Sequence, residues 1–375
     1  MIFNETQSAI QQAVRDFAQA RIRPHSAAFE AAKGYPRALF EDVAALGLMG
    51  MTAPESVGGA AADYVAYALA LIEIAAADGA LSTIVSIQNS LIVSGLVKDG
   101  SAEQQARFLP DLIAGRMLGA FALTETDAGS DAAAMRTRAE KVDGGYRLNG
   151  AKQFISCASI AGIAIVYAVT DPAAGERGIT GFIVPTDSPG YHVDKVEHKL
   201  GQAASDTCAI RFDDVFVADD LRLGAEGAGY GIALSNLEAG RIGIAAQCIG
   251  MAQAALEIAI GYAKDRKSFG QAIIQHQAVG FRLADLAAKL EAARHLVLHA
   301  ASMKDAGLPC LKEASMAKLV ASETAESVVS GALQTLGGYG YLEEFGVARI
   351  YRDVRVCQIY EGTSDIQRMV IARAL

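Results

Sequence analysis

The chain has 375 residues, 52% of them hydrophobic, no tryptophan, and a net charge of −9 from 33 basic and 42 acidic side chains. That length suits two or three domains rather than one core, and an acidic balance with no Lys/Arg-rich run argues against a nucleic-acid partner. Five scattered cysteines (Cys157, Cys208, Cys248, Cys310 and Cys357) without a C-x-x-C pair fit reduced thiols better than a disulfide framework or a zinc site.

The first residues, Met1-Ile2-Phe3-Asn4-Glu5, lack the basic and apolar regions of a signal peptide and the Arg-rich look of a transit peptide, so a cytoplasmic location is expected. Helical spacing then dominates residues 1–119, read as an all-α domain. Asn4 and Thr6 are candidate caps for a helix through Ile10, Val14 and Phe17 to Pro24. A second helix is expected from Pro36 to near Gly47. Longer apolar ones follow over Tyr64–Ala77 and Ser82–Val97, with Gly79 and Gly100 as stops.

Residues 120–222 change period and are read as a central β domain, a compact antiparallel sheet or small barrel. Lys141 to Phe154 reads as strand, turn, strand, turn, strand, because Asp143-Gly144 and Asn149-Gly150 tolerate the positive φ of tight hairpins. Runs at Ile163–Val169, Thr180–Val184 and Ala209–Phe216 continue as short strands.

Residues 223–375 return to helical spacing. Ser235–Lys264, Gln277–Asp305, Cys310–Thr335 and Val347–Ala372 are expected to form an antiparallel four-helix bundle. The most apolar stretch, Ile242–Ala263, is interrupted by Gln247, Gln253 and Glu257, which suits a buried bundle helix better than a membrane span.

Several segments are candidates for chemistry. Phe121 to Asp131 (FALTETDAGSD) is a loop of hydroxyls and small residues, read either as a backbone cradle for a phosphate or oxidised ring or as a capped turn. Arg266-Lys267-Ser268-Phe269-Gly270 sets a cation and an aromatic past a long helix, suited to a pyrophosphate or simply to a solvated helix end. Gln334 to Gly340 is a C-cap or a place where backbone approaches a ligand. No G-x-G-x-x-G opens a βαβ unit, no P-loop is present, and Gly227 to Gly231 has the wrong spacing. Without G-x-S-x-G, Ser-His-Asp hydrolysis is unsupported. His295 and His299 lack a third ligand, so no metal is expected.

The most telling residue is Glu361, in Ile359-Tyr360-Glu361-Gly362-Thr363-Ser364: one carboxylate among apolar and small neighbours, in a chain that otherwise keeps its charges on polar helix faces. Burial raises such a carboxyl's pKa toward the range useful to a general base.

Five segments in register and order (Phe121–Asp131, Lys152–Ser156, Arg266–Gly270, Gln334–Gly338 and Tyr360–Ser364) resemble the acyl-CoA dehydrogenase family over nearly the whole chain. The resemblance implies an N-terminal helical domain, a central antiparallel β domain and a C-terminal four-helix bundle, assembled as a homo-oligomer, expected to be a tetramer, around FAD. Position by position, it implies that Leu123, Thr124, Phe154 and Ser156 touch the flavin ring, with Phe154 where many relatives carry Trp. Ser130, Arg241, Tyr360 and Gly362 are implied on the substrate side, and Arg266, Phe269, Gln277, Gln334, Gly337 and Gly338 in holding FAD across a subunit interface. Thr363 and Asp365 match positions beside its adenosine-diphosphate portion.

Glu361 falls on the family's usual base; some relatives instead carry it at the position of Gly240, which cannot take a proton. Ser82 stands where relatives acting on glutaryl thioesters carry Arg, so a second substrate carboxylate is not expected. The implied reaction is removal of a hydrogen pair from Cα and Cβ of a saturated acyl-CoA, short or branched, with electrons passing to an electron-transfer flavoprotein. No side chain accepts hydride, so a flavin is required. An acyl-carrier-protein thioester stays open as substrate. The alternatives are a same-fold oxidase or monooxygenase using O2, and a catalytically silent helical assembly protein without membrane or nucleic-acid partners.

Overall fold

The computed structural model describes residues 2–375. In α1 (Glu5–Phe17), Asn4 Oδ1 accepts from Gln7 N at 2.8 Å while Asn4 N donates to Gln7 Oε1 at 3.0 Å, a reciprocal cap that satisfies two otherwise orphaned donors. Thr6, the other candidate cap, lies inside the helix. The short α2 (Ser26–Ala32) and α3 (Arg37–Ala45) follow. Next, α4 (Tyr64–Ala77) takes the span expected for it and is capped by Asp63, which accepts from Ala66 N at 2.7 Å.

The single helix expected over 82–97 is present and longer, running from Gly79 to Asp99 with a π stretch in its middle. Gly79 begins α5 (Gly79–Ile87) rather than stopping a helix, because the Asp78 carboxylate caps it by accepting from Leu81 N at 3.0 Å. That π stretch, Gln88–Val93, joins α5 to α6 (Ser94–Asp99). After it comes α7 (Ala102–Ile113), opened by a Ser101/Gln104 capping box.

Eight strands form one sheet: β1 (Gly119–Ala122), β2 (Arg138–Val142), β3 (Gly145–Ser156), β4 (Ile163–Val169), β5 (Ile179–Pro185), β6 (Tyr191–Val196), β7 (Thr207–Ala218) and β8 (Arg222–Leu223). The order is β6-β7-β3-β2-β4-β5-β8, mostly antiparallel, with β1 and the end of β2 pairing parallel to β4. Asp143-Gly144 makes the expected hairpin turn. Asn149-Gly150 does not: β3 runs straight through it, and Gly150 (φ +146°) sits at a register shift against β7. Glycine's freedom serves a bulge as readily as a turn. Asn149 Oδ1 accepts from Asp214 N of β7 at 2.8 Å and locks the irregularity.

The C-terminal third holds α8 (Gly229–Asp265), the small hairpin β9 (Lys267–Ser268) and β10 (Gln271–Ala272), α9 (Gln277–Asp305) and α10 (Leu311–Leu336). The fourth bundle helix is broken, into α11 (Val347–Val354) and α12 (Ser364–Arg373). Two stretches, Gly79–Asp99 and α8, are long and apolar enough to cross a membrane, but 89% and 83% of their apolar windows are buried inside the fold. Apolar side chains of α4 (Leu69, Ile72), α8 (Ile244, Ile249) and α10 (Val328) share one cluster, while the sheet builds its own around Tyr146, Ile165 and Phe182.

Candidate functional site

The break between α11 and α12 carries Glu361. Its φ is +51° and that of Gly362 is +90°, so the pair makes a left-handed corner. A non-glycine residue there costs on the order of 1–3 kcal/mol and persists only where its surroundings over-determine it. They do: Lys318 Nζ donates to Gly362 O at 2.7 Å, and Gln367 Nε2 reaches Gly362 O at 3.0 Å and Glu361 O at 3.3 Å. Thr363 caps α12 immediately afterwards, its hydroxyl accepting from Ile366 N at 3.3 Å.

The Glu361 side chain points at α8. A Cβ built on Gly240 would overlap Glu361 Oε2 and stand 3.0 Å from its Cδ, so the carboxylate would have to move if position 240 carried a side chain. Oε2 is buried with no hydrogen-bond partner. Burial raises the Glu361 pKa to about 7, with Lys318 and Arg241 pulling the other way. Arg241 follows Gly240 on α8, is 6% exposed, and leaves Nε and Nη1 unpartnered; burial lowers its pKa while Glu361 and Glu238 raise it.

The expectation that Glu361 is the chain's one enclosed charge is wrong. Glu73, Asp78, Lys152, Arg241, Lys318 and Asp353 are buried too. Most are satisfied: Glu73 takes a two-point bond from Arg15, at 2.8 and 2.9 Å. Glu361 and its neighbour Arg241 are not: each leaves at least one buried polar atom without a partner.

One turn along α8 from Gly240, a Cβ on Gly243 would overlap Ser86 Oγ and lie 2.8 Å from Tyr67 Oη; these hydroxyls are 3.3 Å apart. Of the polar run Ser86 to Ser90, Ser86 meets Gly243 of α8. Gln88 exchanges two bonds with the Gly119 backbone, Asn89 is spent on Met51 N, Leu48 O and Val85 O, and Ser90 donates to Ser86 O. Ser82 is buried and donates to Leu71 O at 3.2 Å.

A second group gathers on the sheet. The Thr124 carbonyl accepts from Gln153 N at 2.9 Å, which sets Leu123 and Thr124 beside Phe154. A register shift between Lys152 and Ile155 puts Phe154 at φ +61° and leaves its ring 63% exposed; Ser156 ends the strand. Two residues outside the expected set hold this corner. Buried Lys152 donates to Glu125 Oε1 at 2.8 Å and to Leu123 O at 3.0 Å, and Glu125 also accepts from Arg136 N and Thr137 N. Burial brings Lys152 down to about 8 against the opposing pull of Glu125. A lysine followed by Gln-Phe gave a strand signal but no sign of this buried pair.

A third group lies at the far end of α8. Arg266, Gly337 and Gly338 line an open cavity of about 420 Å³ with Tyr262, Ile273 and Tyr339. The Arg266 guanidinium sits 5.9 Å from the centre of the Tyr339 ring and forms no ion pair among the described residues. Gly337 (φ +60°) caps α10, so the glycine run is both a helix end and bare backbone. Phe269 stands 95% exposed at the β9–β10 tip, and Gln277 and Gln334 are exposed. Asp365 is exposed and pairs with Arg368 at 3.3 Å. Ser130 is exposed in the loop after β1, bonded to none of these.

Family models for the N-terminal, middle and C-terminal domains of acyl-CoA dehydrogenase match residues 4–116, 120–215 and 227–375. An acyl-CoA dehydrogenase from Bacillus subtilis is 46% identical over 375 residues, covering 100% of this chain and 99% of that protein. The caffeyl-CoA reductase-Etf complex subunit CarC from Acetobacterium woodii is 43% identical over 376 residues, covering 100% and 99%. The structure of butyryl-CoA dehydrogenase from Megasphaera elsdenii superposes with a TM-score of 0.97 at 40% identity, over 100% of this chain and 99% of that one.

Proposed function

The chain belongs to the acyl-CoA dehydrogenase family, and we propose that it oxidises a short or branched saturated acyl-CoA to the trans-2-enoyl thioester, passing electrons to an electron-transfer flavoprotein. The observation that carries this reading is the Glu361 carboxylate: its Oε2 is buried without a partner and faces a bare Gly240, and desolvation raises its pKa to about 7. A general base works best when its pKa lies near the operating pH.

In this reading Glu361 takes the proton from substrate Cα. The proton is weakly acidic, so the thioester carbonyl must be polarised by a donor already in place. The Glu361 N–H bonds to no acceptor among the described residues and is the proposed donor. Such a donor is typically worth about 3 kcal/mol in the transition state. Arg241, Tyr360 and Gly362 line the substrate side, with Ser130 toward CoA. The Gly243–Ser86–Tyr67 contact closes the space beyond Gly240 and favours a short acyl chain.

Family members depend on FAD, and the side chains present suit one. Exposed Phe154 offers an aromatic face, unpaired Arg266 a cation for a pyrophosphate, and Gly337-Gly338 uncovered backbone. Leu123, Thr124 and Ser156 would lie along the ring, Phe269, Gln277 and Gln334 across a subunit boundary, and Thr363 and Asp365 beside the adenosine diphosphate. When bound, FAD supplies the hydride acceptor that no side chain provides. The proposed assembly is a cytoplasmic homotetramer.

The test is a panel of straight and branched saturated thioesters, on CoA and on acyl-carrier protein, scored anaerobically by loss of flavin absorbance. Bleaching by four- or five-carbon CoA esters with slow return in air is expected. Rapid reoxidation by O2 would assign an oxidase, and a protein that takes up no flavin would leave only an assembly role.

A further inference from the structure

A line of buried side chains runs from the middle of the sheet region to the residue before Glu361. Gln202, in the loop between β6 and β7, sends Nε2 to the Asp353 carbonyl at 3.2 Å. Gln247 of α8 sends Nε2 to the Gly79 carbonyl at 2.7 Å and to Thr83 Oγ1 at 2.6 Å. Carbonyls only accept, so both amide orientations are fixed by backbone rather than by choice. The shortest contacts then give the rest, although Thr83 Oγ1 also lies 3.3 Å from Gly79 O and 3.4 Å from Tyr360 Oη. Thr83, accepting from Gln247, gives its own hydrogen to Gln202 Oε1 at 2.7 Å, and Gln247 Oε1 accepts the Tyr360 hydroxyl at 2.7 Å.

Both ends of this line belong to one segment. Asp353 lies in the last turn of α11, and Tyr360 lies seven residues on, directly before Glu361. The bonds therefore staple residues 353–360 against α5 and α8 through a loop from the sheet region. Gln202 N also donates to the Asp353 carboxylate, and a Cβ on Gly201 would lie 2.6 Å from Asp353 N, so that loop sits hard against α11. Gln202 and Glu361 are two of the eight described non-glycine residues at positive φ, both at +51°. Two strained residues joined by a line of buried bonds imply that each helps to hold the other.

We infer that Gln202, Thr83 and Gln247 are positioning residues, setting the place of the Glu361 carboxylate through Tyr360 and making it depend on the β6–β7 loop. The inference rests on Glu361 being the base. None of the three need touch substrate. A displacement of about 1 Å at a reacting group can cost about a hundredfold in rate, so a loosened Tyr360 is expected to lower kcat rather than binding.

The deciding variant is Thr83→Val in the flavin-loaded enzyme, which removes the central hydroxyl without changing side-chain volume. Expected are a kcat about tenfold lower, KM within about twofold, unchanged flavin content, and faster hydrogen exchange of the Ile359 and Tyr360 amides, which bond to Val356 O. Thr83→Ser, which keeps the hydroxyl, should restore kcat and protection. Wild-type kcat and protection in Thr83→Val would overturn the proposal, as would equal losses in both variants, the signature of packing alone. If Thr83→Val does not fold, Tyr360→Phe removes the last donor at constant volume and is judged by the same kcat, KM and exchange readouts. Turnover retained by Glu361→Gln would instead overturn the base assignment itself, whatever the Thr83 variants do.

Discussion

The seat of Glu361 and the face around Arg266 are opposite kinds of site. At Glu361 the chain supplies everything: a left-handed corner, two side chains gripping its carbonyls, a glycine cleared for the carboxylate, and a buried line behind Tyr360. At Arg266 it supplies loose ends. The cation has no anion, Phe269 is almost wholly exposed, and Gly337-Gly338 faces an open cavity. The first site is assembled from side chains of the one chain, while the second leaves a cation, an aromatic ring and backbone exposed. Enclosure and tight hydrogen bonding suit a reacting group that must be held closely in position; exposed cation, ring and backbone suit the proposed contact with a large ligand or another subunit.

Breaking the enclosed side should have the largest effect. Glu361→Gln keeps the shape and removes the base, so turnover should fall by at least about 10²–10⁴-fold while flavin absorbance and the circular dichroism spectrum stay as they are. Breaking the open side should leave the chemistry and weaken the assembly. Arg266→Ala removes the cation proposed to meet the pyrophosphate, a charge-assisted contact typically worth roughly 1.5–3 kcal/mol, so the purified protein should lose flavin or dissociate, read from the flavin-to-protein ratio and by sedimentation. Full flavin in a stable oligomer would show that the open face is mere surface. The smallest effect sharpens the contrast. A base with pKa about 7 must be deprotonated to act, so kcat/KM should fall about tenfold per unit below pH 7 and level off above it. A profile flat from pH 5 to 8 would mean that Glu361 titrates like an ordinary surface carboxyl.

Long regular helices were legible. Tyr64–Ala77 and Gln277–Asp305 fall on their expected spans because their periodicity is unbroken and their ends are marked. The errors share a cause: one local signal serves two structures. Gly79 read as a stop, yet with Asp78 before it the same glycine starts a helix. Asn149-Gly150 read as a hairpin and is a bulge, because positive φ is needed in both. The fourth bundle helix looked continuous over 347–372. Its interruption was foreshadowed only by Gly362 and by Thr363 as a cap. At the site, Glu361 could be chosen from its small and apolar neighbours. Lys318, Gln247, Thr83 and Gln202 could not, being brought to it from 43 to 278 residues away by tertiary packing.

The room at Gly240 also bears on how such an enzyme changes over generations. Some relatives are implied to carry their acid on that helix rather than in the tail corner, and here the two placements compete for one volume. A first mutation at 240 would crowd two carboxylates into a niche built for one, and a first mutation at 361 would leave none. Moving the acid from one seat to the other therefore calls for two coupled changes, an acid gained at 240 and the Glu361 side chain given up.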